Sequence, residues 1–254
     1  MTTRFKVVIP ARYASTRLPG KPLIALAGRP MIAHVCDRAR EANAEQIVVA
    51  TDDSRIFKVA SELGVKAVMT SDSHQSGSER IAEVAQKLQW QDDEIIVNLQ
   101  GDEPLLSAEY IQKVAKALSD NLVAKVSTLA VTMSAAEEVF DNNIVKVVVD
   151  KQGHALYFSR AVIPWDRDGF VEQQSFIPKN IYLRHIGLYA YTVGFLNQYV
   201  KWRESILEQI ERLEQLRILW HGEKILVEVV AKAPMAGIDT EDDVKRVEKY
   251  LQNR

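Results

Sequence analysis

One cysteine, Cys36, stands in 254 residues, and that scarcity excludes an intrachain disulfide and any cysteine-rich zinc site. A reducing compartment suits such a chain. Cys36 lies on a helical pattern, where an inert buried thiol is the expected role. No apolar run approaches the roughly 20 residues of a membrane span, and no apolar core of the secretory kind precedes the first strand. Cytoplasmic residence, with no membrane partner, is therefore expected. An excess of one charge is missing too: 32 Lys and Arg against 34 Asp and Glu leave a formal net charge of -2. That balance speaks against a nucleic-acid partner, which asks for a broad basic face. Internal repeats, low-complexity linkers, a Ser–His–acid arrangement and metal-spaced histidine pairs are all absent, so hydrolase chemistry has little support. What remains is 47% hydrophobic and 26% charged, the composition of a globular enzyme with a sizeable core.

The first half alternates strand and helix. Continuous apolar runs at 5–9, 46–50, 65–69 and 94–99 read as buried strands, and 30–42, 54–63 and 77–88 as helices with apolar positions at helical spacing. Runs without alternation suit strands covered on both faces, so the prediction is α/β with a mostly parallel sheet. Further on, 125–132 alternates as a half-buried strand does, and 144–149, 154–158 and 182–192 also read as strands, 144–149 and 154–158 joined by a turn at 150–153. This stretch, about 125–195, is expected to form an antiparallel part of one 254-residue domain, extending the sheet or making a dimer arm. Residues 166–178 read as a polar, mobile surface loop, and 205–220 as one amphipathic helix. Residues 225–230 form a last strand, and 240–251 a closing helix capped by Thr240.

Three segments carry chemistry. After the first strand comes Pro10-Ala11-Arg12-Tyr13-Ala14-Ser15-Thr16-Arg17-Leu18-Pro19-Gly20-Lys21-Pro22. It sets three cations, Arg12, Arg17 and Lys21, within ten residues on a loop stiffened by proline. Crevices at the carboxyl ends of parallel strands bind ligands, and this loop suits a polyphosphate. It is neither a Walker A loop nor a dinucleotide glycine motif. A solvated surface loop is the alternative, but such a loop has no need of a shape fixed by Pro19-Gly20-Lys21-Pro22. The second segment, Asn98-Leu99-Gln100-Gly101-Asp102-Glu103-Pro104, puts a carboxylate just beyond a strand, placed to hold a hard cation or to make a turn. In the third, Gly237-Ile238-Asp239-Thr240, Thr240 can cap the helix and leave Asp239 available. Two separated aspartates and a basic loop point together to metal-assisted attack on a nucleotide phosphate. His74-Gln75-Ser76-Gly77 opens a helix and suits either an N-cap or the approach of a base or ribose.

Across its whole length the chain resembles the 3-deoxy-manno-octulosonate (KDO) cytidylyltransferases, or CMP-KDO synthetases. The resemblance rests on these segments and on Phe158-Ser159-Arg160, Arg184-His185-Ile186-Gly187 and Leu213-Glu214-Gln215-Leu216-Arg217. It implies a Rossmann-like nucleotide-diphospho-sugar transferase fold, usually dimeric, acting on CTP and a 3-deoxy sugar acid with Mg²⁺ as cofactor. Carried onto matching positions, Arg12 and Lys21 would hold the triphosphate with Arg17 assisting, and Asp102 and Asp239 would bind metal. Ala11, Ser76, Arg80 and Gln100 would meet the nucleotide. Arg160, His185, Tyr189, Glu214 and Gln215 would line the sugar-acid pocket. The implied product is CMP-KDO, a precursor for lipopolysaccharide. A cytidylyltransferase for 8-amino-KDO or sialic acid, or a CTP-binding module without turnover, are the alternatives.

Overall fold

The computed structural model describes residues 3–14, 18–74, 76–172 and 181–252. Nine strands make one sheet: β1 Lys6–Ala11, β2 Gln46–Thr51, β3 Lys66–Met69, β4 Ile95–Asn98, β5 Val126–Thr132, β6 Lys146–Val149, β7 Ala155–Ser159, β8 Leu183–Thr192 and β9 Ile225–Val230. Seven of them run in the order β9-β5-β8-β4-β1-β2-β3, and the β6/β7 hairpin joins at the start of β8. All pairings along that path are parallel except those of β8, which is antiparallel to both neighbours.

The apolar runs are buried on both faces, as continuous hydrophobicity requires. Within β1, Val7 and Ile9 join a core with helices Met31–Glu41 (α1), Ser54–Glu62 (α2) and Ala108–Asp120 (α4), while Val8 joins the opposite core with helix Gly77–Lys87 (α3). Period-two alternation thus feeds two hydrophobic layers from one strand. Local signals set the helix ends. Asp53 accepts the Arg55 amide at the start of α2, and Ser76 and Glu79 form a reciprocal capping box on α3. Gly64, at φ +68°, turns the chain out of α2. Cys36 is fully buried in α1, and burial pushes its thiol up to about 12, so it is inert at neutral pH.

Three expectations change. Residues 126–132 do not alternate: six of seven are buried, because β5 is an interior strand running in the direction of β1. The antiparallel character of the middle region resides in β8 and in the β6/β7 hairpin. The single helix read over 205–220 is two, Ile206–Glu211 and Leu216–Trp220, because the chain reverses at Arg212 in the left-handed conformation (φ 54°). That reversal brings Arg217 back onto Glu208, a buried two-pronged pair at 2.8 and 2.6 Å. Finally, 166–172 is not merely a polar loop, for Phe170 is buried against Phe140, Trp165 and Tyr182. The rest of that segment, 173–178, lies outside the described residues.

Candidate active site

The carboxyl ends of β1 and β4 lie side by side, paired in parallel through Val8 and Asn98, so the loops that follow them converge. After β1, Gly20 adopts φ +70° and starts a tight turn at Lys21–Leu23. The Tyr13 ring fills the space beside Gly20, 3.0 Å from where a Cβ would stand, and the Arg55 guanidinium covers that ring. Leu18, Leu26 and Ile238 bury together with the C-terminal helix Glu241–Gln252. This small third core ties the basic loop to the Asp239 segment.

The two aspartates are held in register by backbone. The Ile238 amide donates to the Asp102 carbonyl at 2.9 Å. Gly101 has the Pro10 carbonyl oxygen 2.9 Å from its missing Cβ, and Gly237 has the Asp102 carbonyl at 3.0 Å. Only glycine permits both approaches. Gly101→Ala must move backbone rather than a flexible side chain, and is expected to cost about 1–3 kcal/mol, read by urea unfolding. An unchanged midpoint would show that the loop yields without strain.

Lys21 Nζ sits between the carboxylates, 2.8 Å from Asp102 Oδ2 and 3.0 Å from Asp239 Oδ1. Burial opposes its charge, but hydrogen bonding and attraction from both aspartates outweigh it and raise the ammonium above its ordinary value. Thr240 and Asp243 cap the last helix reciprocally, with Asp243 accepting the Asp239 and Thr240 amides. The Asp239 carboxylate faces Lys21. Burial beside Asp102 pushes Glu103 up to about 7. Among the described residues no group of three or more His, Cys, Asp or Glu gathers as a metal cage. The donor set is two hard carboxylates, the number Mg²⁺ takes when phosphate oxygens complete its shell, so the residues fit that ion.

Arg12 turns to the start of α3, donating to the carbonyls of His74 and Ser76. Burial and the nearby Arg80 lower its ordinary value. Arg80 is placed otherwise than expected. It is wholly buried, with its guanidinium on Asp52 Oδ2 at 2.7 Å and on the Thr70 hydroxyl, so it ties α3 to the segments that follow β2 and β3. Arg17 and Gln75 lie outside the described residues.

Two hollows open beside this centre and share Gln100 and Glu214. One, of about 450 Å³, is lined by Ser76, Gly77, Glu79 and the Glu208–Arg217 pair among others. The smaller, of about 80 Å³, lies against Asn98, Gly187, Tyr189, Tyr191 and Gln215. Tyr199 donates to Glu214 Oε1 at 2.9 Å. His185 and Tyr189 stay on one side of β8, their rings 5.4 Å apart, and His185 Nε2 meets Thr128 Oγ1 at 3.0 Å. Arg160 lines neither hollow. Its Nε donates to the Glu211 carbonyl and Nη1 to that of Asn142, which fixes it against the Ile206–Glu211 helix.

Asp52, Tyr191, Tyr199 and the Glu208–Arg217 pair were not assigned from sequence. The Asp52-Asp53 doublet held a signal for the first: one aspartate caps α2, so the other is free to pair. The tyrosines gave none, since their meeting depends on β8 entering the sheet centre.

The cytidylyltransferase family profile matches residues 6–225. A 3-deoxy-manno-octulosonate cytidylyltransferase of Methylococcus capsulatus is 53% identical over 255 residues, spanning 100% of this chain and 99% of its own. The protein of that name from Tolumonas auensis is 56% identical over 252 residues, spanning 98% and 97%. Among solved structures, a CMP:2-keto-3-deoxy-manno-octonic acid synthetase complexed with CTP aligns at TM-score 0.89 and 39% identity, covering 98% of this chain and 99% of that one.

Proposed function

The chain belongs to the cytidylyltransferase family, among the 3-deoxy-manno-octulosonate cytidylyltransferases, and from that premise we propose how its residues divide the work. The enzyme transfers CMP from CTP to the anomeric hydroxyl of KDO, giving CMP-KDO for lipopolysaccharide biosynthesis and pyrophosphate. Full-length identity above half with relatives named for KDO carries this reading over other sugar acids. Pyrophosphate release from CTP with KDO, 8-amino-KDO and sialic acid tests it; turnover with sialic acid and none with KDO would overturn it.

The anomeric oxygen attacks the α-phosphorus and pyrophosphate departs in line, with charge spread over the phosphoryl oxygens. Lys21 and Arg12 supply cations where that charge grows, which lowers the barrier because they are already oriented. The raised ammonium of Lys21 keeps it charged throughout the neutral range. Before substrate arrives it neutralises Asp102 and Asp239; with the triphosphate bound, its charge serves the leaving group. Asp102 and Asp239 would hold Mg²⁺, which supplies Lewis-acid charge stabilisation when bound. Ser76, at the N-terminus of α3, and Gln100 are assigned to the nucleotide. Tyr189, Glu214 and Gln215, which line the smaller hollow, are assigned to the sugar acid, whose many hydroxyls match its hydroxyls, amides and carboxylate; His185, which lines neither hollow but stands beside Tyr189 on β8, is assigned with them.

Chelation by EDTA is expected to stop pyrophosphate release and added Mg²⁺ to restore it. An undiminished rate in EDTA would remove metal from the assignment. Among the described residues no helix is long and apolar enough to cross a membrane, which is compatible with the cytoplasmic residence we propose. A homodimer formed through the region around 125–195 is the proposed assembly, to be checked by sedimentation.

A further inference from the structure

Thr128 lies within β5, wholly buried, where the register of β8 shifts between Ile186 and Tyr189. Its Oγ1 is 2.9 Å from the Leu188 carbonyl, 3.1 Å from that of Ile186 and 3.0 Å from His185 Nε2. A hydroxyl has one proton to give and two lone pairs to receive. Two of these three neighbours are carbonyl oxygens, which only accept. Were Nε2 also bare, three acceptors would compete for one proton, and a close contact between lone pairs would persist. With a proton on Nε2 that conflict is removed: the imidazole donates to Thr128, and Thr128 shares its one proton between the two carbonyls.

A second ring proton is excluded at neutral pH, because burial pushes His185 down to about 3. The neutral ring therefore carries a bare Nδ1. Among the described residues the ring's hydrogen bond is the one at Nε2, which leaves Nδ1 without a protein partner, on a residue that is half-buried. Phe158, edge-on at 4.9 Å, and Tyr189 fix the plane of the ring.

We propose that Thr128 is a positioning residue that locks His185 in the Nε2–H tautomer, making Nδ1 an obligate acceptor for a hydroxyl of the sugar acid. The acid's carboxylate is thereby directed elsewhere, since a bare nitrogen repels an anion. This rests on the assignment of His185 to the sugar pocket.

Nitrogen-15 NMR of the full-length enzyme labelled at histidine reads the tautomer directly, with His185→Gln identifying the resonance. Nε2 is expected protonated and Nδ1 bare, and Thr128→Val is expected to abolish that preference. In steady state Thr128→Val should raise KM for KDO about tenfold, the scale of one neutral hydrogen bond, with KM for CTP unchanged. Thr128→Ser, which keeps the hydroxyl, should restore both the tautomer and KM. A wild-type ring protonated on Nδ1 overturns the proposal and leaves CMP transfer to KDO untouched. So does a Thr128→Val enzyme whose KM for KDO stays at the wild-type value. Failure of the wild-type enzyme to turn over KDO would instead overturn the function itself, and the NMR result would stand apart from it.

Discussion

Asp102→Asn is expected to cut turnover about 1000-fold while leaving the fold intact. The two halves of that result have different causes. Asp102 is about a third exposed and its ion pair with Lys21 is open to solvent, so its loss costs little stability, within about 1 kcal/mol. Asparagine keeps an oxygen for Lys21, and the loop is held by the Ile238 amide and by Gly101, neither of which involves the side chain. Turnover depends on the negative charge that would hold the metal, a contribution of several kcal/mol, and each 1.36 kcal/mol is about tenfold in rate. Asp239→Asn should fall comparably, and the double variant little further, because both carboxylates serve one centre. Pyrophosphate release in saturating CTP, KDO and Mg²⁺, beside a thermal melt, reads both halves. Near-normal turnover with Asp102→Asn would remove Asp102 from the metal site.

Arg217→Met is expected to be the most destabilising single change around the cleft, about 3–5 kcal/mol, lowering Tm by about 10 °C. Arg217 and Glu208 are 5% and 10% exposed, joined by two hydrogen bonds. Hydrogen bonding to Glu208 holds the guanidinium above its ordinary value despite burial, and the Tyr199 ring lies 4.9 Å from it. Methionine matches the volume but strands the Glu208 carboxylate in a site that water barely reaches. Adding Glu208→Leu removes the stranded charge and should recover most of the loss. Recovery in the double variant, seen by denaturant titration, separates a buried charge from lost packing. If the double variant melts as low as Arg217→Met, packing is the cause.

Much of the parallel half was legible because local and global preferences agree there. The strand at 46–51, the Asp53 cap and Gly64 each point to the same αβ unit, and the structure follows them closely. The basic loop and the pair Asp102 and Asp239 were legible for a related reason: each lies just past a strand or just before a helix, where topology alone decides the position. What sequence hid depends on returns of the chain. Arg80 has the charge of a ligand-binding residue, yet its burial follows from Asp52 and Thr70 closing over it, partners 28 and 10 residues away. The break at Arg212 was invisible because hydrophobic spacing continues across it, and only the Glu208–Arg217 contact shows that the chain has doubled back. Residues 126–132 seemed to alternate because their polar members, Ser127 and Thr128, find buried partners in the Val114 carbonyl and in β8.

The insertion of β8 between β4 and β5 also governs the order in which the sheet can be completed. Strands β1 to β4 are finished by residue 98, but β4 has an unpaired edge until 189–192 arrive to cover it, and among the described residues β5 and β9 pair into that half of the sheet only through β8. A ribosome-bound chain therefore exposes a buried-type apolar edge over nearly a hundred residues of synthesis, the interval in which strand edges invite aggregation. The strand that closes this gap is also the one bearing His185 and Tyr189, so the wall proposed for the sugar acid begins to form as the two parts of the sheet are joined.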